Sequence, residues 1–291
     1  MDITIEKVNI HDQYIELAVT NLIKTAFNNK ALLPRGFLAA NIQSDASRPG
    51  FFLIAKANGN IIGCNGFIAN DFLLNNENFV GYQSCWSAIL PGYQGKGIFS
   101  DIINEAKRIL KEDGAGFLYG VPSDNSGNIM INKLAFDPTP AFVTRLYNIP
   151  LYSSFILKKN SVDNENVCSV NEKQVCDHKA IQSPAEVKIF YHNNSWLWGK
   201  LIKKTKWGVN WPVFYVGGVQ LYSERDLQPL IKKIFKAHFV LFIQLLIPGT
   251  HTIKPLIANW RPANINPFVL YRLNIPVFDH FNVMIGSIDI F

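Results

Sequence analysis

The sequence predicts a mixed α/β fold, of the α+β kind, in which a central sheet is flanked by helices. An amphipathic helical pattern lies near the N-terminus, and an Asn-Gly pair separates two strand-like runs further along the chain. A glycine turn then joins an apolar strand to a second amphipathic helix. This alternation of strands and helices is typical of a sheet packed against helices.

The composition is that of a globular, core-rich protein. Of 291 residues, 48% are hydrophobic and 17% are charged, which excludes a disordered chain. The N-terminus lacks the basic and then apolar pattern of a secretory signal, and the longest apolar run, residues 239–248, is too short to span a bilayer. We therefore expect a cytoplasmic protein that has no membrane partner.

The four cysteines have neither Cys-x-x-Cys spacing nor a secretory context, so we expect buried or incidental thiols and no metal centre.

Charge is unevenly distributed between the two halves of the chain. Residues 1–150 contain 12 Lys and Arg against 13 Asp and Glu, whereas residues 151–291 contain 16 against 9. A basic surface can meet nucleic acid, a membrane, a phosphorylated small substrate or only solvent. Since no nucleic-acid motif accompanies it, we expect no nucleic-acid partner.

The first elements follow from periodicity and turn residues. Residues 3–8 alternate as a half-buried strand does, and Asp12 is placed to cap a helix that runs to about residue 27. Residues 28–50 are interrupted by proline and glycine and predict an irregular loop. The runs 51–57 and 60–69 predict a hairpin, and we expect residues 70–78 to be a polar connection.

Residues 82–99 are the stretch around which the chain is organised. A strand ends at Leu90, because Pro91 removes a ladder donor and Gly92 permits a turn. After Gly95 and Gly97 the period changes to that of a helix. Its apolar face consists of Ile98, Ile102, Ile103, Ala106, Ile109 and Leu110.

A glycine turn that leads into a helix aims several unpaired N–H groups at one point, with the positive end of the helix dipole behind them. This geometry suits a phosphate or pyrophosphate. Gly95 and Gly97 would let a diphosphate approach the backbone, and Lys96 would add positive charge. A plain strand–turn–helix connection is the alternative, because a lone Gly-x-Gly recurs by chance.

Residues 94–99, Gln-Gly-Lys-Gly-Ile-Phe, resemble the acyl-CoA pattern Gln/Arg-x-x-Gly-x-Gly/Ala of the GNAT superfamily of N-acetyltransferases. Gln94 and Gly97 match, whereas Phe99 stands where the family has a small residue. The resemblance covers roughly residues 1–150. It implies a GNAT-type mixed central sheet flanked by helices, in which the strands at residues 82–90 and 117–121 separate at their ends.

The same resemblance implies that the gap between those strands holds the pantetheine arm and the thioester. The co-substrate would be an acyl-CoA, either acetyl-CoA or a short-chain 3-hydroxyacyl-CoA. The residues expected to bind it are Ala88, Ile89, Leu90, Gln94, Gly95, Lys96, Gly97, Ile98, Phe99, Asn125 and Ser126.

Two departures from the family concern proton transfer. Ile131 stands where members often have a tyrosine that protonates the leaving thiolate, and residues 82–90 contain no Asp or Glu to serve as base. A serine such as Ser84 can order a water that accepts the proton instead. The candidate catalytic residues are Ser84, Tyr119 and His192, although each also suits a structural role as a buried hydrogen-bonding, capping or surface residue.

The second half predicts another domain. Residues 160–187 are polar and predict a linker or surface excursion. The order of strand, helix and strand over residues 213–247 then weakly repeats the first half, without a glycine cradle. We expect a GNAT acyl-CoA-binding domain at residues 1–158 and, at residues 159–291, a second, degenerate GNAT-like domain that shapes the acceptor site.

The second half is also similar to the C-terminal halves of two-domain bacterial nucleotide-sugar N-acyltransferases of surface-polysaccharide (lipopolysaccharide) synthesis. The similarity lies in residues 194–198, 261–262 and 267–272. It implies a nucleotide-linked amino sugar as acceptor, with Trp196 and Trp260 stacking on a base or sugar and Arg261 pairing with a diphosphate. Core packing for the tryptophans and a solvated surface cation for Arg261 are the alternatives.

The expected activity is acyl-CoA-dependent transfer of an acetyl or short acyl group to the amine of a small molecule, by a monomer or homodimer. Two alternatives stay open. An aminoacyl-tRNA-dependent transferase would bind its donor with strong salt dependence. A non-catalytic acyl-CoA sensor would bind coenzyme A without releasing acyl groups to any amine.

Overall fold

The structure is a computed structural model of the 291-residue chain. It describes residues 2–28, 33–42, 46–138, 144–151, 153–159, 167–182, 186–206, 208–248, 251–256, 263–264 and 268–282. The chain divides into two compact units. The first comprises Met1–Phe72, Asn78–Pro138 and Phe268–Pro276, and the second comprises Leu73–Glu77, Thr139–Pro267 and Val277–Phe291.

Strands and helices alternate in the first half of the chain. Its elements are β1 (Ile3–Val8), α1 (Gln13–Ala26), α2 (Phe37–Ile42), β2 (Phe51–Ala57), β3 (Asn60–Leu74), β4 (Glu77–Ile89), α3 (Ile98–Glu112), β5 (Phe117–Gly120) and α4 (Asp124–Asn132).

Strands predominate in the second half. Its elements are β6 (Thr144–Pro150), β7 (Phe155–Lys159), β8 (Val167–Val170), α5 (Glu172–Gln182), β9 (Val187–His192), β10 (Ser195–Lys206), β11 (Val209–Gln220), α6 (Leu227–Ala237), β12 (Phe242–Pro248), β13 (His251–Pro255), β14 (Ala263–Asn264), β15 (Val269–Arg272) and β16 (His280–Asn282).

Local signals place the first helix and the first hairpin where the sequence predicts them. The Asp12 side chain accepts a hydrogen bond from the Tyr14 N–H at 2.8 Å and so caps α1. Asn58 and Gly59 have φ angles of 50° and 79°, and two successive positive φ angles are what a tight hairpin turn between β2 and β3 requires.

The first unit is built on a sheet in the order β1-β2-β3-β4-β5-β15. Strands β4 and β5 are parallel and are connected through α3, whereas β15 pairs antiparallel with β5. One face of the sheet packs on the apolar side of α3, through residues that include Ile98, Ile102 and Leu110. The other face packs on α1 and α2. The mixed α/β GNAT fold predicted from the sequence is confirmed.

The second unit repeats this topology. Its larger sheet has the order β14-β6-β12-β11-β10-β9, in which β9, β10 and β11 are antiparallel neighbours. Strands β11 and β12 are parallel and are connected through α6, as β4 and β5 are through α3. Strand β6 pairs antiparallel with β12 in the position that β15 occupies in the first unit. The loop before α6 contains no glycine.

Four segments differ from the expectations. Residues 37–42 form α2 within the predicted irregular loop, and β3 continues through residues 70–74 instead of ending in a polar connection. Within the predicted linker at residues 160–187, the described part contains β8 and α5. Strand β15 belongs to the first unit, although its sequence lies within the 159–291 segment assigned to the second domain.

Candidate active site

The first unit contains a gap between β4 and β5. The parallel ladder between these strands pairs Gly81 with Phe117, Tyr82 with Leu118 and Gln83 with Tyr119. Strand β4 then continues to Ile89, whereas β5 ends at Gly120. The two strands therefore separate at their carboxyl ends, as the family resemblance implied, and the backbone of β4 after Gln83 borders a cleft.

The turn at the end of β4 forms the glycine cradle. Gly95 and Gly97 have φ angles of 76° and 85°, in the left-handed region that favours glycine, and no atom lies within 4 Å of where a β carbon would stand on either. Gly97 is the N-cap of α3. The first N–H groups of α3 have no acceptor within the helix, so they are available to an anion in this open space.

The Gln94 side chain bonds to the backbone on the N-terminal side of the same turn. Its Nε2 donates a hydrogen bond to the Ile89 carbonyl at 3.0 Å. The Leu90 N–H donates to the Ile62 carbonyl of β3 at 2.9 Å, so the backbone polar groups of Ile89 point to the opposite edge of the strand, toward the cleft. Gln94 thus links the end of β4 to the start of the cradle.

A cleft of about 520 Å³ extends along the cradle, β4 and α4. The predicted cofactor-binding residues that line it are Ala88, Ile89, Gln94, Gly95, Gly97, Ile98, Phe99, Asn125 and Ser126. Leu90 and Lys96 lie outside its lining, and the Lys96 ammonium is 5.1 Å from the centre of the Tyr93 ring. The sequence analysis missed Phe27, Tyr93, Ser123 and Lys133, which also line the cleft.

The far wall of the cleft is the start of α4. Ser123 is the N-cap of this helix, and its hydroxyl accepts a hydrogen bond from the Ser126 N–H at 3.5 Å. A serine directly before an amphipathic segment is typical of a helix N-cap, and this signal would have identified Ser123. The cap keeps the Ser126 hydroxyl 3.0 Å from that of Ser123 at the cleft.

A smaller cavity of about 170 Å³ adjoins the cleft where the strands separate. Ser87, Phe99, Ser123 and Ser126 line both spaces, so the two are neighbours. Ser84, Trp86, Val121 and Met130 are among the residues that line only the smaller one. Its lining contains no Asp, Glu, His, Lys or Tyr in the described part of the chain.

Two serine hydroxyls in this cavity share one acceptor. Ser84 Oγ donates to Asn65 Oδ1 at 3.2 Å, and Ser87 Oγ donates to the same oxygen. Asn65 is fully buried in β3, and its Nδ2 donates to the Gly66 carbonyl at 2.8 Å. Because both hydroxyl protons point at Asn65, the serine lone pairs are oriented to accept a hydrogen bond. Asn65 was missed, although a lone asparagine in an apolar strand was a usable signal.

Trp86 distorts β4 beside these serines. Its φ is 49°, which is rare for a bulky residue, and its ring stacks on Phe52 with centroids 5.7 Å apart. The Cys64 thiol donates to the Trp86 carbonyl at 3.5 Å, and burial raises the pKa of this thiol to about 12. These contacts hold an unusual backbone conformation in place at the gap.

Tyr119, a candidate catalytic residue, is fully buried in β5. Its hydroxyl accepts a hydrogen bond from Asn70 Nδ2 at 3.0 Å, and its ring packs against Phe72 and Phe117. It lines neither of the two adjoining cavities. A catalytic role for Tyr119 therefore stays a prediction.

The remaining candidates lie in the second half of the chain. His192 precedes a turn in which Asn193 and Ser195 bond to the buried Asp226 carboxylate, and its Nε2 is 3.8 Å from Asp226 Oδ1. Trp196 Nε1 donates to Gln220 Oε1 at 2.8 Å across β10 and β11. Trp260 and Arg261 lie outside the described residues.

Among the residues that the structure describes, no cluster of three or more His, Cys, Asp or Glu is arranged to hold a metal ion. In the same residues, none of the helices has the length and apolar character that crossing a bilayer requires. Cys64, Cys85, Cys168 and Cys176 are buried, and none of the four is in a disulfide bond.

Comparison with known proteins agrees with this geometry. Residues 12–127 match the family model of an acetyltransferase (GNAT) domain. No curated protein sequence is similar to the chain. The matched segment, which is less than half of the chain, contains α1, the hairpin, the separated strands and the cradle.

Solved structures share the fold over nearly the whole chain. A GCN5-related N-acetyltransferase from Kribbella flavida has a TM-score of 0.61 at 9% identity, covering 94% of this chain and 71% of that one. A probable N-acyltransferase from Enterococcus faecalis V583 has a TM-score of 0.57 at 11% identity, and the match covers 94% of this chain and 74% of that one. A putative acetyltransferase from Pyrococcus horikoshii has a TM-score of 0.52 at 12% identity, and the match covers 98% of this chain and 95% of that one. Identities this low establish the fold alone.

The fold is that of the GNAT acetyltransferases. Residues 12–127 form the acetyltransferase (GNAT) domain, and this domain contains the cradle and the gap between β4 and β5.

Proposed function

We propose that the protein transfers an acetyl or short acyl group from acyl-CoA to the amine of a small acceptor. One observation carries this proposal: the glycine cradle at the start of α3 opens into a cleft, and this cleft adjoins the cavity in the gap between two separated parallel strands. A pyrophosphate, a pantetheine arm and a thioester in sequence need this linear arrangement of an anion site and a narrow gap.

The pyrophosphate would lie against the N–H groups that follow Gly97, where the helix dipole contributes roughly 0.3–1 kcal/mol per favourable anion contact. The pantetheine arm would run along β4 from Ile89 to Ser87, and the thioester would enter the smaller cavity. The attacking amine adds to the thioester carbonyl, the C–S bond breaks, and the thiolate leaves as the amine loses its proton.

The Asn65–Ser84–Ser87 group supplies the polar atoms in this cavity. With both hydroxyl protons bonded to Asn65, Ser84 presents lone pairs that can accept a hydrogen bond from an ordered water, and a chain of waters would carry the amine proton to solvent. Binding the two reactants side by side lowers the activation free energy by on the order of 7–11 kcal/mol in favourable cases. An acyltransferase can therefore operate without a strongly basic carboxylate in the cavity.

The size of the cavity supports a short acyl group. A space of about 170 Å³ with Phe99, Trp86 and Met130 among its walls suits acetyl or a short 3-hydroxyacyl chain. For the acceptor, we propose a nucleotide-linked amino sugar of surface-polysaccharide synthesis, on the basis of the basic second half and its aromatic residues. Its setting would be the cytoplasm, in keeping with four cysteines that form no disulfide bond.

A thiol-release assay tests the proposal. Purified protein is incubated with acetyl-CoA or 3-hydroxybutanoyl-CoA and a panel of nucleotide-linked amino sugars, with spermidine and a lysine-containing peptide as other amines. We expect release with the amino sugars and little with the controls. Release with spermidine or the peptide alone would retain the acyltransferase activity and overturn the sugar acceptor.

A second candidate function is a non-catalytic acyl-CoA sensor. The lack of an ionisable carboxylate, histidine or tyrosine in the described lining of the smaller cavity favours it. Calorimetry with acetyl-CoA separates the two functions. Binding without thiol release for any amine would identify a sensor, and release with at least one amine would identify an enzyme.

A further inference from the structure

Helix α6 and the strands β9 to β12 of the second unit are strongly basic. Residues 187–248, which contain these elements, have 9 Lys and Arg against 2 Asp and Glu. Both acids, Glu224 and Asp226, lie in the turn before α6, where the buried Asp226 carboxylate is bonded to Ser195 and Asn193. Helix α6 and the four strands therefore contain no acidic residue that balances their lysines.

Helix α6 exposes three lysines in its C-terminal half. Its apolar side packs into the core of the unit, whereas Lys232, Lys233 and Lys236 are exposed. Lys236 lies next to both of the others, because positions three and four apart are neighbours on a helix. Lys233 Nζ donates to the Tyr191 carbonyl, so this side of the helix borders β9. Within the described part of the chain, none of the three forms an ion pair with an acid.

The sheet continues this basic surface at the end of α6. The ring of His238, directly after the helix, stacks on Phe214 of β11 with centroids 5.9 Å apart. Leu201 of β10 is paired with Phe214 and lies on the same face of the sheet, and so does Lys203, two residues further along β10. Leu201 and Lys203 are exposed, so α6 does not cover them.

Phe239 adds a second apolar side chain to this surface. It follows His238 and is 86% exposed, so almost its whole ring is in water. Burying a phenylalanine side chain is favourable, and a partner that covers the ring would gain this free energy. We call the surface the lysine face. It consists of Leu201, Lys203, Lys232, Lys233, Lys236 and Phe239.

We propose that the lysine face binds the surface of an anionic phospholipid membrane. The lysines would pair with lipid phosphates, while Phe239 and Leu201 would enter the boundary between headgroups and acyl chains. Nucleic acid fits this face less well. The cations of the face are lysines without an arginine, and an exposed leucine gains nothing from a sugar-phosphate backbone.

This attachment is peripheral and needs no spanning helix. It differs from the expectation, drawn from the sequence, that the protein has no membrane partner. The inference concerns the second unit alone and does not depend on acyl transfer.

The two kinds of side chain give the binding a defined response to salt. The screening length falls from about 10 Å at 0.1 M salt to about 3 Å at 1 M. The contribution of the lysines should therefore be largely lost at 1 M NaCl, whereas burial of the Phe239 ring is not screened.

The experiment is co-sedimentation of the full chain with vesicles of phosphatidylcholine and phosphatidylglycerol in a 2:1 ratio, and with vesicles of phosphatidylcholine alone. We expect binding to the anionic vesicles in 0.1 M NaCl. Binding should be at least tenfold weaker in 1 M NaCl, and at least tenfold weaker to the neutral vesicles.

Two variants separate charge from burial of the ring. Lys232→Gln combined with Lys236→Gln should weaken binding to the anionic vesicles roughly 20-fold, since each lysine near an anionic surface contributes about fivefold. Its matched control, Lys111→Gln combined with Lys173→Gln, removes the same charge from exposed positions outside the lysine face and should bind like the wild type. Phe239→Ser keeps the charge and should weaken binding about tenfold.

The proposal is overturned if the folded wild-type protein does not bind the anionic vesicles, or if it binds the neutral ones equally well. It is also overturned if the Lys232 and Lys236 double variant binds as tightly as its control. Unchanged binding by Phe239→Ser would exclude the bilayer as the partner. Tighter binding of a short single-stranded DNA than of the anionic vesicles, in the same buffer, would exclude it as well.

Discussion

Gln83 of β4 lies opposite Tyr119 of β5, and theirs is the last residue pair in the parallel ladder between these strands. Beyond this pair, Ser84–Ile89 continue β4 without β5 beside them, and both adjoining cavities of the first unit border this stretch. The position of the pair therefore determines which β4 residues can meet a thioester. Five predictions follow from this site and from the packing around it.

The first prediction concerns Gly97. A residue with a β carbon at a φ of 85° costs about 1–2 kcal/mol, so Gly97→Ala should weaken acetyl-CoA binding about tenfold. Gly97→Asp should weaken it further, because its charge repels the pyrophosphate. Calorimetry measures the affinity of both variants for acetyl-CoA. Gly92→Ala, in the same turn but without a positive φ, is the control, and unchanged affinity in a folded Gly97→Asp variant would show that the pyrophosphate binds elsewhere.

The second prediction concerns Ser84. If its hydroxyl relays the amine proton, Ser84→Ala should lower kcat roughly 100-fold and leave the affinity for acetyl-CoA nearly unchanged. Steady-state kinetics and calorimetry check the two quantities separately. Ser47→Ala removes an exposed hydroxyl that bonds to Asp71 in the same unit, and it should leave kcat unaltered. A kcat for Ser84→Ala within twofold of the wild type would exclude the relay.

The third prediction concerns acyl-chain length. Phe99 lines both the cleft and the smaller cavity, at the position where the family has a small residue. Phe99→Ala should raise kcat/KM for hexanoyl-CoA relative to acetyl-CoA about tenfold, within the range expected when pocket size sets the discrimination. Phe27→Ala removes an aromatic ring from the cleft only, so it should leave this ratio unchanged. An unaltered ratio in Phe99→Ala would remove Phe99 from the acyl site.

The fourth prediction concerns acid stability of the second unit. The Ser195 hydroxyl, 2.7 Å from Asp226 Oδ2, holds the pKa of this carboxyl below its ordinary value, with smaller contributions from Asn193 and His192. A lowered folded-state pKa stabilises the fold above the unfolded-state pKa of about 3.9, and this contribution is lost as pH falls through the folded-state value.

Ser195→Ala should therefore lower the Tm at pH 7, and the difference from the wild type should shrink as the pH falls and the carboxyl becomes protonated in both proteins. Scanning calorimetry at a series of pH values from 7 downward measures the difference. Ser153→Ala, which removes a serine bond to the Pro150 carbonyl in the same unit, should give a pH-independent shift. A Tm difference for Ser195→Ala that stays constant as the pH is lowered would contradict the assignment to Asp226.

The fifth prediction concerns Lys107 on α3. Burial lowers its pKa to about 8, and its ammonium lies 3.7 Å from the centre of the Tyr271 ring. A larger neutral fraction at pH 8 should make Lys107 more nucleophilic toward a small reagent. Brief reductive methylation, followed by mass spectrometry, should label Lys107 faster than exposed Lys111 of the same helix. Equal or slower labelling would mean that restricted access outweighs the lowered pKa.

Much of the first unit was predictable because its signals are local. The Asp12 cap, the Asn58-Gly59 turn and the helical period after Gly97 each act within a few residues, so they could be read from the chain. Helix α2 was missed for the opposite reason. Glu16, buried in α1, accepts hydrogen bonds from the Gly36 and Ala39 N–H groups at 3.1 and 3.3 Å, so this short helix is capped from twenty residues away.

The site was predictable to the same extent. The cradle follows from the spacing of Gln94, Gly95 and Gly97, and most of the predicted cofactor-binding residues line one cleft. Asn65, by contrast, meets Ser84 and Ser87 only because β3 and β4 are neighbours. Strand β15 pairs with β5 across about 150 residues of sequence, and no local pattern identifies such a partner.

The sequence alone determined α1, the first hairpin, α3 and the glycine turn before it, since helical period, turn chemistry and glycine conformation depend on near neighbours in the chain. The tertiary structure decided which strands complete each sheet, where β4 and β5 separate, and which polar side chains meet inside the protein. Glu172 illustrates the difference. Its raised pKa arises from burial beside Gly218 and Trp198, and burial is a property of the packed chain that sequence spacing does not encode.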